Sequence, residues 1–298
     1  MLGNFFNNMY YGKNRSDYTP DQLPKNRFQL FFEMLRIRFF KLIQLNFIFL
    51  LFALVYVVWI VYNYMVLGQI GEELNFEYLY SVVYIFLLGN IPCQMIFGVG
   101  MTGLTYVTRN YARDQHAWVW SDFIDAVKTN WKQGLLMGLI KGIFMFVFFI
   151  VISLYFQLYQ VEGNLMYYAL GWLMVAISLV AAMADMYIWP MIISYELKLR
   201  HIIRNSIVLA LARLPWSVLF LIIMMVPMAL VVLVHPLISL YYVVLGFSLT
   251  QFINVSYINS VFDRFINTRI EGAPINQGLR KPEDEEEYED GEKGKQGT

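Results

Sequence analysis

The sequence predicts an all-α, polytopic membrane protein with six transmembrane helices. Of its 298 residues, 58% are hydrophobic and only 15% are charged, against roughly 45–50% apolar and about 25% charged residues in soluble domains. Mean hydropathy is +0.51. Aromatic residues, which settle at membrane interfaces, reach 17%. We therefore expect the lipid bilayer to be the main surrounding of the chain.

Six apolar stretches are long enough to cross about 30 Å of hydrocarbon at about 1.5 Å per residue. The last two are separated only by His235 and Pro236, and proline blocks helix continuation while suiting the first turn of a new helix. A tight hairpin is expected there. The six predicted spans cover residues 42–67, 79–107, 134–159, 165–194, 214–234 and 236–259.

The charges predict how these spans are oriented. All but one of the 22 lysine and arginine residues lie in the N-terminal segment, the second and fourth connections and the C-terminal tail, and the exception is Lys141. The other three connections carry no lysine or arginine. Positive residues in short loops are retained on the cytoplasmic side, so both termini are expected in the cytoplasm.

Three regions follow from this arrangement. Residues 1–41 form a cytoplasmic N-terminal segment with an amphipathic helix, and residues 42–265 form the six-helix transmembrane domain. Residues 266–298 form an acidic cytoplasmic tail, which is expected to be disordered because its end, from Lys281, contains no aliphatic residue. The tail either solvates the protein or serves as a docking peptide for a basic partner.

Amphipathic stretches precede three of the spans on the cytoplasmic side: Phe28–Lys41, a helix starting at Ser121, and Leu197–Arg213. Such helices are expected to lie on the membrane surface. In the second one, apolar and charged residues occupy opposite sides, which makes it a candidate contact for a cytoplasmic partner. The contact candidates are Phe123, Val127 and Trp131 with Lys128 and Lys132.

The recurrence predicts three copies of one unit, in which a surface helix is followed by a helical hairpin. Asn46, Asn130 and Asn205 fall near the start of each unit. The similarity is one of pattern, since few residues can be aligned.

Lys141 and Asp185 are the ionisable residues that fall clearly within predicted spans. They are expected at similar depth on antiparallel neighbouring helices, where an ion pair can form. Three roles stay open: the pair fixes helix packing, it takes part in substrate or ion passage, or Lys141 extends to the interface.

Asn90 and Gln94 lie one helical turn apart beside Pro92 in the second span. Their amides need partners across helices, so they either join helices or line a cavity. Gly98, Gly100 and Gly103 follow and predict close helix packing.

No enzyme, metal site or cofactor is expected. The sequence contains no HExxH, GxSxG or Walker A motif. Its three histidines fall in different connections, and one cysteine cannot form a cluster site. A net charge of zero gives no field to recruit nucleic acid.

Four segments resemble the YesL-like family of bacterial membrane proteins: MLGNFFN, FFKLIQLNFIFLLFAL, DFIDAVKTNWKQG and WPMIISYELKLRHIIRNSIVLALARLP. The family is catalogued largely as a domain of unknown function. The resemblance implies a location in the bacterial plasma membrane. Its members often accompany carbohydrate uptake systems, so it also implies a non-enzymatic accessory or regulator of a sugar ABC importer that contacts the permease subunits. The alternative is a small stand-alone transporter built around Asn90, Gln94, Lys141 and Asp185.

Overall fold

In a computed structural model, which describes residues 23–69, 76–234 and 236–280, the chain is helical and no strand occurs within those ranges. The first 22 residues and the tail from Lys281, predicted to be disordered, lie outside the described residues. Seven α-helices lie in these ranges: α1 Arg27–Gln69, α2 Phe76–Ala112, α3 Val119–Glu162, α4 Leu165–Ser194, α5 Leu199–Ala212, α6 Leu214–Leu233 and α7 Phe247–Phe265.

Five of the described helices are long and apolar enough to cross a membrane. These candidate spans are Arg27–Gly68, Leu79–Ala112, Val119–Glu162, Leu165–Ser194 and Leu214–Val231. They correspond to the first five predicted spans, so an all-helical chain with five candidate membrane-spanning helices in the described ranges is confirmed. The sixth predicted span is not among them.

The stretch predicted as the sixth span is divided and unusually polar. A 3₁₀ turn at Pro236–Ser239 and a π-helical turn at Tyr242–Gly246 precede α7. Buried residues of α7 include Ser248, Gln251 and Asn254. The helix lies inside the bundle against other helices, and a helix in that position does not need a uniformly apolar surface.

The surface helices are continuous with spans in two of the three cases. Helix α1 runs unbroken through residue 41, and α3 runs unbroken from Val119 through the predicted boundary at 134. Both lack proline. The distinct surface helix of the predicted repeat unit is therefore not confirmed at these two positions. Only α5 is a separate helix, because Arg213 leaves the helical conformation and Pro215 begins the next helix.

The three asparagines that suggested a repeat have different surroundings. Asn46 is fully buried, Asn130 donates to the Ala126 carbonyl of its own helix, and Asn205 is exposed. A threefold repeat is therefore not confirmed.

Two hydrophobic clusters form the core, and α7 contributes to both. Phe252 and Val255 pack with α1, α2 and α3, whereas Ile258 and Phe262 pack with α4 and α5. Helix α7 thus joins the two halves of the bundle.

Helices α2 and α3 approach each other through glycines. A Cβ atom at Gly134 would lie 2.7 Å from the Gly98 carbonyl oxygen, and one at Gly138 would overlap the Gln94 carbonyl oxygen. Gly100 and Gly103 likewise accommodate the Phe52 and Phe123 side chains. The close packing predicted from Gly98, Gly100 and Gly103 is confirmed.

Candidate functional sites within the bundle and at its basic end

Lys141 and Asp185 form an ion pair between α3 and α4. Lys141 Nζ lies 2.6 Å from Asp185 Oδ2, and the Trp189 indole donates to Asp185 Oδ1 at 3.2 Å. The side chains are 29% and 25% exposed on the protein surface. The pair predicted from their depth is present, and both carboxylate oxygens have partners.

Polar groups of α1 and α2 lie next to this pair. The Tyr56 hydroxyl is within hydrogen-bonding reach of the Gln94 amide and close enough to Lys141 to interact with its charge. Gln94 and Asn90 are both buried. Neither amide atom of Asn90 has a hydrogen-bond partner among the described residues. An unpaired amide in the bundle interior costs roughly 1–3 kcal/mol, so Asn90 is a position where a hydrogen-bonding partner would be stabilised.

A second polar site lies at the end of the bundle where Arg27, Arg113 and Asp263 meet, which we name the basic end. Arg27 Nη2 forms an ion pair with Asp263 Oδ2, and Arg113 Nη2 lies 4.0 Å from Asp263 Oδ1. The Asp263 side chain is 7% exposed. One carboxylate thereby connects the first turn of α1, the residue after α2 and the end of α7.

Further hydrogen bonds extend this network into the C-terminal segment. Asn267 Nδ2 donates to Asp263 Oδ1 at 2.6 Å, and the Asn276 backbone N–H donates to Asp263 Oδ2 at 3.1 Å. The Tyr195 hydroxyl donates to Asn267 Oδ1 at 2.8 Å. Burial raises the pKa of Tyr195 to about 12, so this hydroxyl is a donor at neutral pH. Burial also lowers the pKa of Arg113, although Asp263 opposes this effect.

An open cleft of about 720 Å³ lies at the basic end, between the first turns of α3 and the segment joining α4 to α5. Acidic and amide side chains line it on the α3 side, and Glu196 and Lys198 line it on the other. Gln133 Nε2 bridges the two sides by donating to the Leu197 carbonyl at 3.2 Å. The cleft has the size of a small-molecule or peptide site.

The contact candidates on α3 divide into buried and exposed residues. Phe123 is fully buried against Gly103, and Val127 is half-buried against the same core cluster. Phe123 therefore cannot contact a partner, because it is needed to pack α3 on α2. Trp131 is 45% exposed, and Lys128 and Lys132 are exposed beside it.

Residue types that bind metal ions do not cluster in the part of the chain that the structure describes. No group of three or more His, Cys, Asp and Glu residues there could hold a metal ion. Cys93 is buried, and its thiol faces the Gly89 carbonyl oxygen of its own helix at 3.3 Å.

Asp263 was not predicted from the sequence, and Asn46 was named there as a marker of the repeat but not as a buried hydrogen-bonding residue. Asp263 follows a span-length stretch and is four residues before Asn267, a spacing that places two polar side chains on one helix face. This spacing was the feature of the sequence from which the polar site could have been predicted.

The comparisons with known proteins give one match. Residues 79–152, which are α2 and most of α3, match the family described as "Protein of unknown function, DUF624". Neither the curated proteins nor the solved structures contain a match to the chain. Over the glycine-packed helix pair, the chain is therefore similar to a family of unknown function in which the YesL-like proteins are also placed.

Proposed function

We propose that the protein is a non-enzymatic membrane subunit of the YesL-like type, which assists or regulates a carbohydrate ABC importer through its basic end. The family match over α2 and α3 agrees with the YesL-like resemblance of the sequence. The link to carbohydrate uptake comes from that resemblance alone. Measurements of uptake and of copurification with a permease are needed to test it.

The proposal includes six spans with both termini in the cytoplasm. Residues 240–265 are helical throughout, with one π-helical turn, which corresponds to about 39 Å at about 1.5 Å per residue. This length is sufficient for a sixth span, and packing against α1, α2 and α4 would shield its polar residues from lipid. Cytoplasmic termini follow from the lysine and arginine distribution.

The observation that carries the proposal is the extension of α1 and α3 beyond the uncharged part of their spans. From Val119 to Lys132, α3 extends about 21 Å at about 1.5 Å per residue, and residues 27–41 add a similar length to α1. Large aromatic residues are exposed on these extensions: Phe28, Phe32, Trp118, Trp120 and Trp131. Exposed aromatic residues of this kind are typical of a protein contact.

Affinity copurification from the native membrane tests this function. The tagged full-length chain is expected to bring down permease subunits of a carbohydrate importer, and its deletion is expected to reduce oligosaccharide uptake. Trp131→Ala should weaken copurification. Trp172→Ala is the matched control, because Trp172 is 53% exposed near the start of α4, distant from the basic end. Normal copurification of the Trp131 variant, or unchanged uptake after deletion, would contradict the proposal.

A stand-alone transporter is the second candidate function. The unpaired amide of Asn90, one helical turn from Gln94 on α2, favours it. Purified protein in liposomes would then move a solute, and Lys141→Ala and Asp185→Ala would abolish the movement. Uptake by liposomes in the absence of a partner would decide for this alternative.

A further inference from the structure

Helix α5 connects two candidate membrane spans at the basic end of the bundle. Helix α4 ends at Ser194, α5 covers Leu199–Ala212 and α6 begins at Leu214. Because both neighbours are long and apolar enough to cross the membrane, the short helix between them must stay at the membrane surface.

One side of α5 holds it on the bundle. Ile202, Ser206, Leu209 and Ala210 are buried, and their spacing of four, three and one places them on a single helix face. The opposite face of α5 therefore points away from the bundle.

This exposed face is basic in the first half of α5 and apolar in the second half. Arg200, His201 and Arg204 are exposed in the first two turns. Ile207, Val208 and Leu211 are exposed in the last two turns, with Val208 at 57%. Arg200, Arg204, Val208 and Leu211 follow one another at intervals of four, four and three residues, so cationic and apolar residues form one continuous stripe.

The arginines of this stripe are available for an anion. Within the described ranges, the ion pairs found involve other cations, and neither Arg200 nor Arg204 has a carboxylate within 4.0 Å. The apolar half continues into α6, where Leu214 and Trp216 are also exposed. A groove of about 500 Å³ runs beside it, lined by Val208 and Leu209 of α5 and by Ile266 and Ile270.

We propose that this stripe binds an anionic phospholipid. The headgroup phosphate lies at Arg200 and Arg204, because guanidinium groups pair with phosphate in a bidentate manner. The acyl chains lie along Ile207, Val208 and Leu211 and continue onto the lipid-facing surface of α6. A peptide partner fits this face less well, since its apolar half is continuous with the surface that faces hydrocarbon.

Native mass spectrometry of the detergent-solubilised full chain tests the site. Titration with dioleoyl-phosphatidylglycerol is expected to give tighter binding than titration with dioleoyl-phosphatidylcholine. A basic residue near a membrane surface contributes about a fivefold gain in binding to anionic lipid. The double variant Arg200→Gln/Arg204→Gln is therefore expected to bind phosphatidylglycerol about 25-fold more weakly and phosphatidylcholine as before.

The matched control is Arg36→Gln/Lys128→Gln, which removes the same charge from exposed positions on α1 and α3. It should bind phosphatidylglycerol like the original chain. Val208→Asp should weaken binding of both lipids. Melting temperatures measured alongside verify that each variant is folded, and an unfolded double variant would be replaced by the single variant Arg204→Gln.

Three results would overturn the proposal: equal affinity for the two lipids, unchanged affinity in the arginine variant, and displacement of phosphatidylglycerol by inorganic phosphate at equal concentration. The last result would indicate a site for a soluble anion. None of these outcomes depends on whether the protein assists an importer.

Discussion

The side-chain amide of Asn46 and the backbone of Ser248 are joined by a hydrogen bond from the Ser248 N–H to Asn46 Oδ1, 3.1 Å long. Asn46 Nδ2 also donates to the carbonyl oxygens of Tyr242 and Val243, each at 2.9 Å. A π-helical turn leaves backbone groups without their usual partners. The single α1 side chain supplies those partners to the turn that begins α7.

Replacing Asn46 is expected to destabilise the start of α7. Asn46→Ala leaves buried backbone groups unpaired, which costs about 1–3 kcal/mol each. The measurement is the free energy of unfolding in detergent. Asn205→Ala, at the exposed asparagine of α5, serves as the control and should change it by less than about 0.5 kcal/mol. Equal losses in the two variants would contradict the role assigned to Asn46.

Asp263 is expected to be essential for the integrity of the basic end. Asp263→Ala removes the carboxylate shared by Arg27 and Arg113 and leaves a poorly exposed arginine without its partner, a change that typically costs about 3–5 kcal/mol. Limited proteolysis and thermal unfolding would both detect the loosened termini. Asp125→Ala is the comparison, since Asp125 is 68% exposed in its pair with Lys128 and such pairs contribute at most about 1 kcal/mol.

If the protein is an accessory subunit, the Lys141–Asp185 ion pair is expected to stabilise the packing of α3 against α4. Lys141→Met and Asp185→Leu each leave one charge without its partner, whereas the double variant removes both charges. Each single variant should therefore lower the melting temperature more than the double variant does. If the two single effects simply add in the double variant, the residues do not act as a pair.

The close approach of α2 and α3 makes Gly138 sensitive to side-chain size. Gly138→Val would force the two helices apart at the Gln94 carbonyl, and overpacking of this kind costs about 1–3 kcal/mol or more. Gly68→Ala provides a control, because a Cβ atom at Gly68 meets nothing within 4 Å. Expression level and melting temperature should fall for the valine variant and stay close to the original for the alanine variant.

Tyr195 is expected to make stability depend on alkaline pH. Its pKa is raised from 10.0 to about 12 in the folded state, so between those values the unfolded chain loses the proton while the folded protein keeps it. Stability is thus fully present below about pH 10 and falls as pH rises toward about 12. The melting-temperature advantage of the original chain over Tyr195→Phe should be smaller at pH 11 than at pH 9.

The features predicted correctly from the sequence are those set by local composition. Five apolar spans follow from hydropathy, and the ion pair of Lys141 with Asp185 follows from their similar distances to the span ends. The packing at Gly98 follows from residue size. Each of these depends on the properties of a short segment and on the thickness of a bilayer.

The features that were missed depend on contacts between distant segments. Asp263 meets Arg27, which is 236 residues away, and no local pattern identifies that partner. Phe123 was assigned to a surface face by helical periodicity, but Gly103 of α2 provides a space for its ring. The uninterrupted α1 and α3 show that amphipathic character alone does not end a helix, whereas α5 ends just before Pro215, which lies in the first turn of α6.

The polar interior face of α7 has a consequence for how the chain is assembled during synthesis. Translocons release helices into lipid according to their hydrophobicity, and asparagine, glutamine and serine oppose that release. Buried Gln251 donates to Thr105 of α2, and buried Asn254 donates to the Met186 carbonyl of α4. Helix α7 therefore has partners for its polar groups only after the earlier helices are in place. In the six-span arrangement proposed above, its integration is expected to follow that of the earlier spans and to depend on their folding.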